Sequence, residues 1–556
     1  MKLIINIYKF LSQRERKYSI IIIINGFINL ILDIFSLSLI IPILYNILND
    51  EAFNIPYLGS FKIDLISSLS LFGFLIIFKN FYFFMNNKIL LSFLKLLNIR
   101  VSKQVLQSYL DIDFLEYSKL GNSEFSRSII LEVNYLVSFY RAIINLILHC
   151  TILFGILIFL FIYNFYATSL LILFYITFLM LPALVIDRKI NILAKERKLL
   201  DKNKFYISNH IFENLSVISL FDVKNFFLNK FNFANLNQQQ NLYKISLFQS
   251  LPRIFVEITT LIFLIGVIFY NSLAHSNLKA IILLVSLFLY AAIRLMPSLN
   301  EILASYQSIK YFLINFVSIS NKFTNNNKNI FISESKSVPD LKFNDKILVK
   351  KLSFKYKDDG EYIFRNLNFE IKKNSLFGIQ GQSGSGKTTL INILLGFYKP
   401  LEGNIFCDHK NIHENLDKWK KLISFVPSKY LLLNSSIKEN VAYGIDVKDI
   451  NSNKVKVSLK YSELDEFINN DNALNNFIID ENGKNLSAGQ IQRFCISRAF
   501  YRDSQIIILD EPTSNLDKTN AYKIIDWLKK MKNVTVIIIS HDPNIINMCD
   551  DKLVLN

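Results

Sequence analysis

Lys387 and Thr388 close the stretch Gly381-Gln382-Ser383-Gly384-Ser385-Gly386-Lys387-Thr388. An apolar run at 376–379 precedes it, and residues 389–395 read as a helix, so the order is strand, glycine-rich loop, helix. The glycines let successive backbone N–H groups face a phosphate without side-chain obstruction. The helix start adds partial positive charge. Lys387 is placed to reach outer phosphates, and the Thr388 hydroxyl can ligate Mg²⁺. Gly381, Ser383, Gly384, Ser385, Gly386 and the adjoining Thr389 complete the candidate nucleotide contacts. An ordinary glycine-rich turn has no need of the lysine and hydroxyl at these positions.

A second group lies downstream. Ile506-Ile507-Ile508-Leu509-Asp510-Glu511 reads as a buried strand ending in two carboxylates. Asp510 is placed to hold Mg²⁺ through water near Thr388, and Glu511 to orient or polarise an attacking water. Such pairs are common, and the phosphate loop upstream is what gives this one meaning. Cys150, Cys407, Cys495 and Cys549 form no CxxC pair, so neither a disulfide framework nor a zinc site is expected. His149, beside Cys150 in an apolar run, reads as a packed residue. His409 and His413 lie in a polar connection with no third ligand nearby.

These groups must be positioned by a chain of 556 residues, of which 51% are hydrophobic and 49 are Phe. The length implies at least two domains, and the apolar excess sits in roughly the first 320 residues. Six spans are expected, near 18–44, 65–84, 136–161, 168–186, 254–270 and 280–296. Lys2, Lys9, Arg14, Arg16 and Lys17 precede the first span. Further basic residues follow the second and fourth, so both ends of the chain are expected in the cytoplasm. The net charge of +17 is thus read as membrane topology rather than nucleic-acid binding. Asp33 lies within the first span, where a carboxylate should face a cavity or a neighbouring helix. Residues 1–325 are read as the membrane domain, 326–340 as an Asn/Lys/Ser-rich linker, and 341–556 as a mixed α/β domain. Strand-like runs recur in that domain at 376–379, 422–426, 506–509 and 534–539.

With these residues in place the chain resembles ATP-binding-cassette exporters of the type IV fold. Leu486-Ser487-Ala488-Gly489-Gln490 is similar to the family's LSGGQ, Ser514-Asn515-Leu516-Asp517 to its D-loop, and His541 to its switch histidine. The resemblance implies a multidomain membrane protein, a six-helix transmembrane exporter domain joined to an α/β P-loop nucleotide-binding domain. It implies ATP and Mg²⁺ as cofactors, with Lys387, Glu511 and His541 catalytic and Tyr356 stacked on adenine. It also implies that Ser487, Gly489 and Gln490 serve the nucleotide held by a second copy, so that the chain works as a homodimer. Segments around 115–124 and 211–222 would couple the cassette to the spans. Three departures stand out. Ser428 occupies the place of a glutamine that contacts Mg²⁺, Ala488 replaces a glycine, and no arginine follows His541.

Within the family, 251–257 and 290–300 look like the PglK-like flippases of lipid-linked oligosaccharides. That likeness implies a polyprenyl-pyrophosphate-linked glycan as cargo, flipped outward across a bacterial inner membrane. Lys79, Arg253 and Arg294 would then be donors to its pyrophosphate. Two alternatives stay open for these cations: Arg253 pairing with Glu257, and Arg294 with Glu301. Export of a peptide, lipid or drug is the alternative function, and a regulatory protein that does not pump is a further one.

Overall fold

The computed structural model describes residues 2–49, 51–54, 62–112, 114–119, 122–273, 278–333, 341–356, 360–382, 384–467, 474, 476–513, 518–531 and 533–555. The chain divides into two compact units, one of residues 1–112 and 116–334, the other of 113–115 and 335–556.

The first unit is helical. Helix α1 (Lys2–Phe10) is followed by α2 (Gln13–Ser38), whose start is fixed by a capping box between Ser12 and Glu15. Glu15 is also buried and takes a two-pronged hydrogen bond from Arg100, at 2.7 Å and 2.8 Å. The basic N-terminal segment is therefore pinned by an acid that the charge count hid. The expected first span is broken at Leu39, the C-cap of α2, and resumes as α3 (Ile40–Asn49). After the short antiparallel pair β1 (Phe53–Asn54) and β2 (Lys62–Ile63) comes α4 (Leu65–Leu110), of 46 residues. At 1.5 Å per residue it reaches roughly 70 Å, more than twice a hydrocarbon core of about 30 Å.

Short helices α5 (Phe114–Lys119) and α6 (Asn122–Arg127) then precede α7 (Val133–Tyr163) and α8 (Phe165–Glu213). The short α9 (Leu215–Leu220) leads into α10 (Lys224–Leu273) and α11 (Leu278–Ser333). Short helices thus interrupt the rods at both segments expected to couple. Five stretches among the described residues are long and apolar enough to cross a membrane: Gln13–Asn49, Leu65–Leu110, Glu124–Tyr163, Lys224–Phe269 and Ile281–Asn321. The apolar helix Phe165–Thr177, at the start of α8, marks the place of the expected fourth span. Helix α11 runs on through 326–333, part of the expected linker. Helix continuation adds one hydrogen bond per residue, and this outweighs the weak helix preference of the asparagines. Residues 334–340 lie outside the described residues.

The second unit is α/β. Its five-stranded parallel sheet has the order β13-β5-β12-β11-β8. These strands are β5 (Leu376–Gly381), β8 (Ile423–Val426), β11 (Ile506–Asp510), β12 (Thr535–Ile539) and β13 (Asp551–Leu555). β11 and β12 are buried along their whole length, as strands covered on both faces require. A four-stranded antiparallel sheet, β4-β3-β6-β7, stands beside it. It comprises β3 (Lys346–Phe354), β4 (Phe364–Lys372), β6 (Glu402–Cys407) and β7 (Lys410–Asn411). The apolar-run reading found β5, β8, β11 and β12 but none of this second sheet, whose strands interleave Lys, Asn and Glu with apolar residues.

Candidate functional site

The strand order brings the chemistry together. Parallel strands present their carboxyl ends on one edge, where ligands bind in such sheets. Along the series β5, β12, β11, β8 these ends carry the phosphate loop, His541, the Asp510–Glu511 pair and Ser428 in turn. Residues separated by more than a hundred positions thereby become neighbours.

β5 ends at Gly381, and helix α12 (Lys387–Leu394) begins after Gly386, which sits at φ 89° as its N-cap. A Cβ at Gly386 would lie 2.6 Å from Cγ2 of Ile363, so both the conformation and the space demand glycine. Lys387 Nζ donates to the carbonyls of Gly381, at 2.7 Å, and Gln382, at 2.9 Å. It thus folds back over the loop it belongs to. The buried Ser385 hydroxyl oxygen makes no hydrogen bond. An orphaned polar atom inside a glycine loop at a helix start fits a phosphate group. Thr389 pairs with the Tyr356 hydroxyl at 2.8 Å. The Tyr356 ring is half-exposed and meets Phe354 and Tyr398 edge-on, which leaves it open to stack on a base. Ser383 lies outside the described residues, as do Ser514, Asn515, Leu516 and Asp517.

The carboxylates behave differently from each other. Asp510 is buried, and burial pushes its carboxyl above the usual range, with the charge of Glu511 adding to the rise. The hydroxyl and backbone N–H of Ser428 both hydrogen-bond Asp510 and pull the other way, as does the charge of Lys387. Ser428 thus stands against the Asp510 carboxylate. Glu511 adopts φ 52°, a left-handed conformation rare outside glycine. Its Oε1 lies 2.9 Å from Nε2 of His541, and the same nitrogen is 3.2 Å from Nζ of Lys387. Gln492, fully buried, donates to the Glu511 carbonyl at 3.1 Å and holds this turn. Its part was not legible in the sequence, because a hydrogen bond to a backbone carbonyl leaves no spacing pattern.

Ser487 caps the helix Ala488–Tyr501 in a capping box with Gln490, and Gln490 reaches Glu466 at 2.9 Å. These bonds run within their own turn and to Glu466, not to the phosphate loop. Ala488 is exposed, so its added methyl meets no crowding within the chain. Among the described residues no group of three or more His, Cys, Asp and Glu could by itself hold a metal.

The three cations proposed for cargo part company. Lys79 is buried in the helical unit and hydrogen-bonds Asp33. Arg294 Nε lies 3.8 Å from the same Asp33 oxygen, rather than pairing with Glu301. Arg253 does not join them: it is exposed and pairs with Glu257 at 2.8 Å, one helical turn on.

Fold and site together define a two-part architecture, a helical unit with several membrane-length apolar helices and a P-loop nucleotide-binding domain. Residues 364–514 match the ABC transporter family. Over 98% of its length the chain superposes, with a TM-score of 0.81 and 19% identity, on 93% of a bacterial Atm1-family ABC exporter whose structure has ATP bound. It is 35% identical over 241 residues to the lactococcin-G-processing and transport ATP-binding protein LagD of Lactococcus lactis, covering 43% of this chain and 33% of that one. It is 35% identical over 209 residues to an ATP-dependent lipid A-core flippase of Ralstonia nicotianae, covering 37% of this chain and 35% of that one. The chain thus spans about a third of the length of these curated relatives. The expected kinship with PglK-like flippases is overturned by these matches, which point to the Atm1, lipid A-core flippase and toxin-translocator group. The strings 251–257 and 290–300 that suggested it lie inside α10 and α11, around the in-helix prolines Pro252 and Pro297. Short strings of this kind serve local packing and say little about lineage.

Proposed function

We propose that the chain is an ATPase that exports a lipid, peptide or drug-like amphiphile across a bacterial inner membrane. The observation that carries this is the chain of contacts Lys387–His541–Glu511, assembled from three separate strand ends. Lys387 exchanges its two carbonyl partners for phosphate oxygens when ATP enters the loop. Ser385 and the N–H groups of the loop take the remaining oxygens. Glu511, on its strained turn, accepts a proton from the attacking water, and His541 holds the carboxylate in place. Thr388 and Asp510, with Ser428 beside it, would hold Mg²⁺, which supplies charge neutralisation on the phosphates.

The chain works as a homodimer in this reading. Among the described residues the cap at Ser487, Gly489 and Gln490 makes no hydrogen bond to the phosphate loop of its own chain, which supports completion of the site by a second copy. Residues 1–325 form the membrane domain and 341–556 the cassette, with both ends in the cytoplasm. The polyprenyl-pyrophosphate glycan loses its support together with the PglK likeness and the departure of Arg253, and the broader cargo class takes its place. The presence of Glu511 and His541 in contact favours pumping over a purely regulatory role.

The test is hydrolysis by the full-length chain in proteoliposomes. Glu511→Gln should retain ATP and lose turnover, and near-normal hydrolysis in that variant would sink the assignment. Lipid and peptide cargoes are separated by which of them stimulates hydrolysis and accumulates across the bilayer in an ATP-dependent manner.

A further inference from the structure

A half-open chamber with charged and amide side chains set among apolar walls lies within the helical unit, at the level where spans are expected to be apolar. Its volume is about 250 Å³, and its walls include Asn29, Asp33, Lys79, Asn86, His149 and Arg294. These residues come from α2, α4, α7 and α11. Ionisable and polar groups at such depth are expensive unless they serve a function.

The chamber is unbalanced in two ways. Among the described residues that line it, two cations, Lys79 and Arg294, converge on the single Asp33 carboxylate, so one side of the chamber is locally cationic. Arg294 spends one N–H on the Tyr290 hydroxyl, at 3.3 Å, while its buried Nε makes no hydrogen bond. That imbalance calls for an anion. The second imbalance calls for donors. Oδ1 of Asn29 and Oδ1 of Asn86 are buried without a partner, their residues only 5% and 6% exposed. A bare phosphate brings acceptors alone and would leave these atoms as they are. A group that satisfies both carries a negative charge and hydrogen-bond donors a few ångströms apart, and the Asp33 carboxylate beside these oxygens favours a cationic donor.

The surroundings point to the source. Phe83 forms part of the wall of this chamber and of a neighbouring one of about 350 Å³, and it is 56% exposed on the outside of α4. A chamber holding charged and amide groups, with an apolar flank, suits an amphiphile whose head enters and whose chains stay outside.

We propose that this chamber binds the zwitterionic head of a membrane lipid, a phosphodiester carrying a primary ammonium. The phosphodiester meets Arg294 and Lys79. The ammonium donates to the asparagine oxygens and to Asp33. The proposal rests on the exporter reading insofar as this lipid is cargo, but the binding itself needs no nucleotide.

Native mass spectrometry of the full-length chain tests it. The probes are dioleoyl phosphatidylethanolamine, its trimethylated counterpart dioleoyl phosphatidylcholine, dioleoyl phosphatidic acid, and water-soluble glycerophosphoethanolamine as competitor. The unmodified chain should hold the ethanolamine lipid at least about tenfold more tightly than the choline lipid, which has the same charges and no N–H donor. Asn86→Leu should erase that preference. Arg294→Gln should weaken both lipids, and Arg253→Gln should change neither. Equal binding of the two lipids by the unmodified chain would overturn the proposal without recourse to any variant. Phosphatidic acid binding as tightly as the ethanolamine lipid would overturn the need for donors. Competition by glycerophosphoethanolamine at equal concentration would overturn the lipid as source and leave a soluble phosphodiester. Hydrolysis is measured in parallel. A chain that discriminates between the lipids but hydrolyses no ATP keeps the head-group site and loses the exporter reading, and the reverse result does the opposite.

Discussion

Nε2 of His541 lies 2.9 Å from Oε1 of Glu511, joining the end of β12 to the end of β11. The same nitrogen is 3.2 Å from Nζ of Lys387. One ring nitrogen cannot serve both partners in one protonation state. Carrying a proton it donates to Glu511, and bare it accepts from Lys387. His541 thus bridges the lysine of the glycine loop and the carboxylate that follows β11.

His541→Ala is therefore expected to lower ATP turnover by roughly 10²-fold, within the range of a misplaced acid–base group. ATP affinity should change little, because Lys387 keeps its loop. Single-turnover hydrolysis together with equilibrium ATP binding measures the two effects separately.

Ser428→Ala removes a hydrogen bond that opposes the upward pull of burial on Asp510. The Asp510 carboxyl should rise further, so more of it is protonated at a given pH. A protonated carboxyl does not hold a cation. The half-saturating Mg²⁺ concentration for hydrolysis should consequently be higher in the variant, and it should climb at a higher pH than in the unmodified chain as the solution is acidified. Identical Mg²⁺ requirements across the acid limb would refute this account.

Gly384 and Gly386 offer a paired test of backbone against space. Both have φ near 90°, yet a Cβ at Gly384 meets nothing within 4 Å, whereas at Gly386 it meets Ile363 at 2.6 Å and Phe364 at 2.8 Å. Gly384→Ala should cost about 1 kcal/mol through conformation alone. Gly386→Ala should cost about 2–4 kcal/mol, the same strain plus overpacking. Thermal unfolding of the two variants gives the difference.

Arg127, 2% exposed, holds Glu124 and Glu132, each at 2.8 Å. Arg127→Met removes the buried cation that both carboxylates share, with Lys202 at 3.8 Å still beside Glu124, and should destabilise the helical unit by about 3–5 kcal/mol. Arg127→Met combined with Glu132→Gln should recover part of that loss. If the double variant unfolds no later than the single one, the carboxylate at 132 is not the cause.

The phosphate loop, the Asp510–Glu511 strand end and five of the six expected spans were legible because each is local. A glycine loop, a buried strand and an apolar helix declare themselves through spacing over a few residues. The antiparallel sheet was not legible, since its half-exposed strands mix charged and apolar residues and gain their pattern from partners far along the chain. Strand order was equally hidden, although it alone sets His541 between Lys387 and Glu511. Within the spans, sequence showed that Asp33, Lys79 and Arg294 sit where charge is expensive. Which of them meet depends on the rotation of four packed helices, and that packing tied Lys79 to Asp33, left Arg253 outside, and brought Asn29, Asn86 and His149 around one chamber.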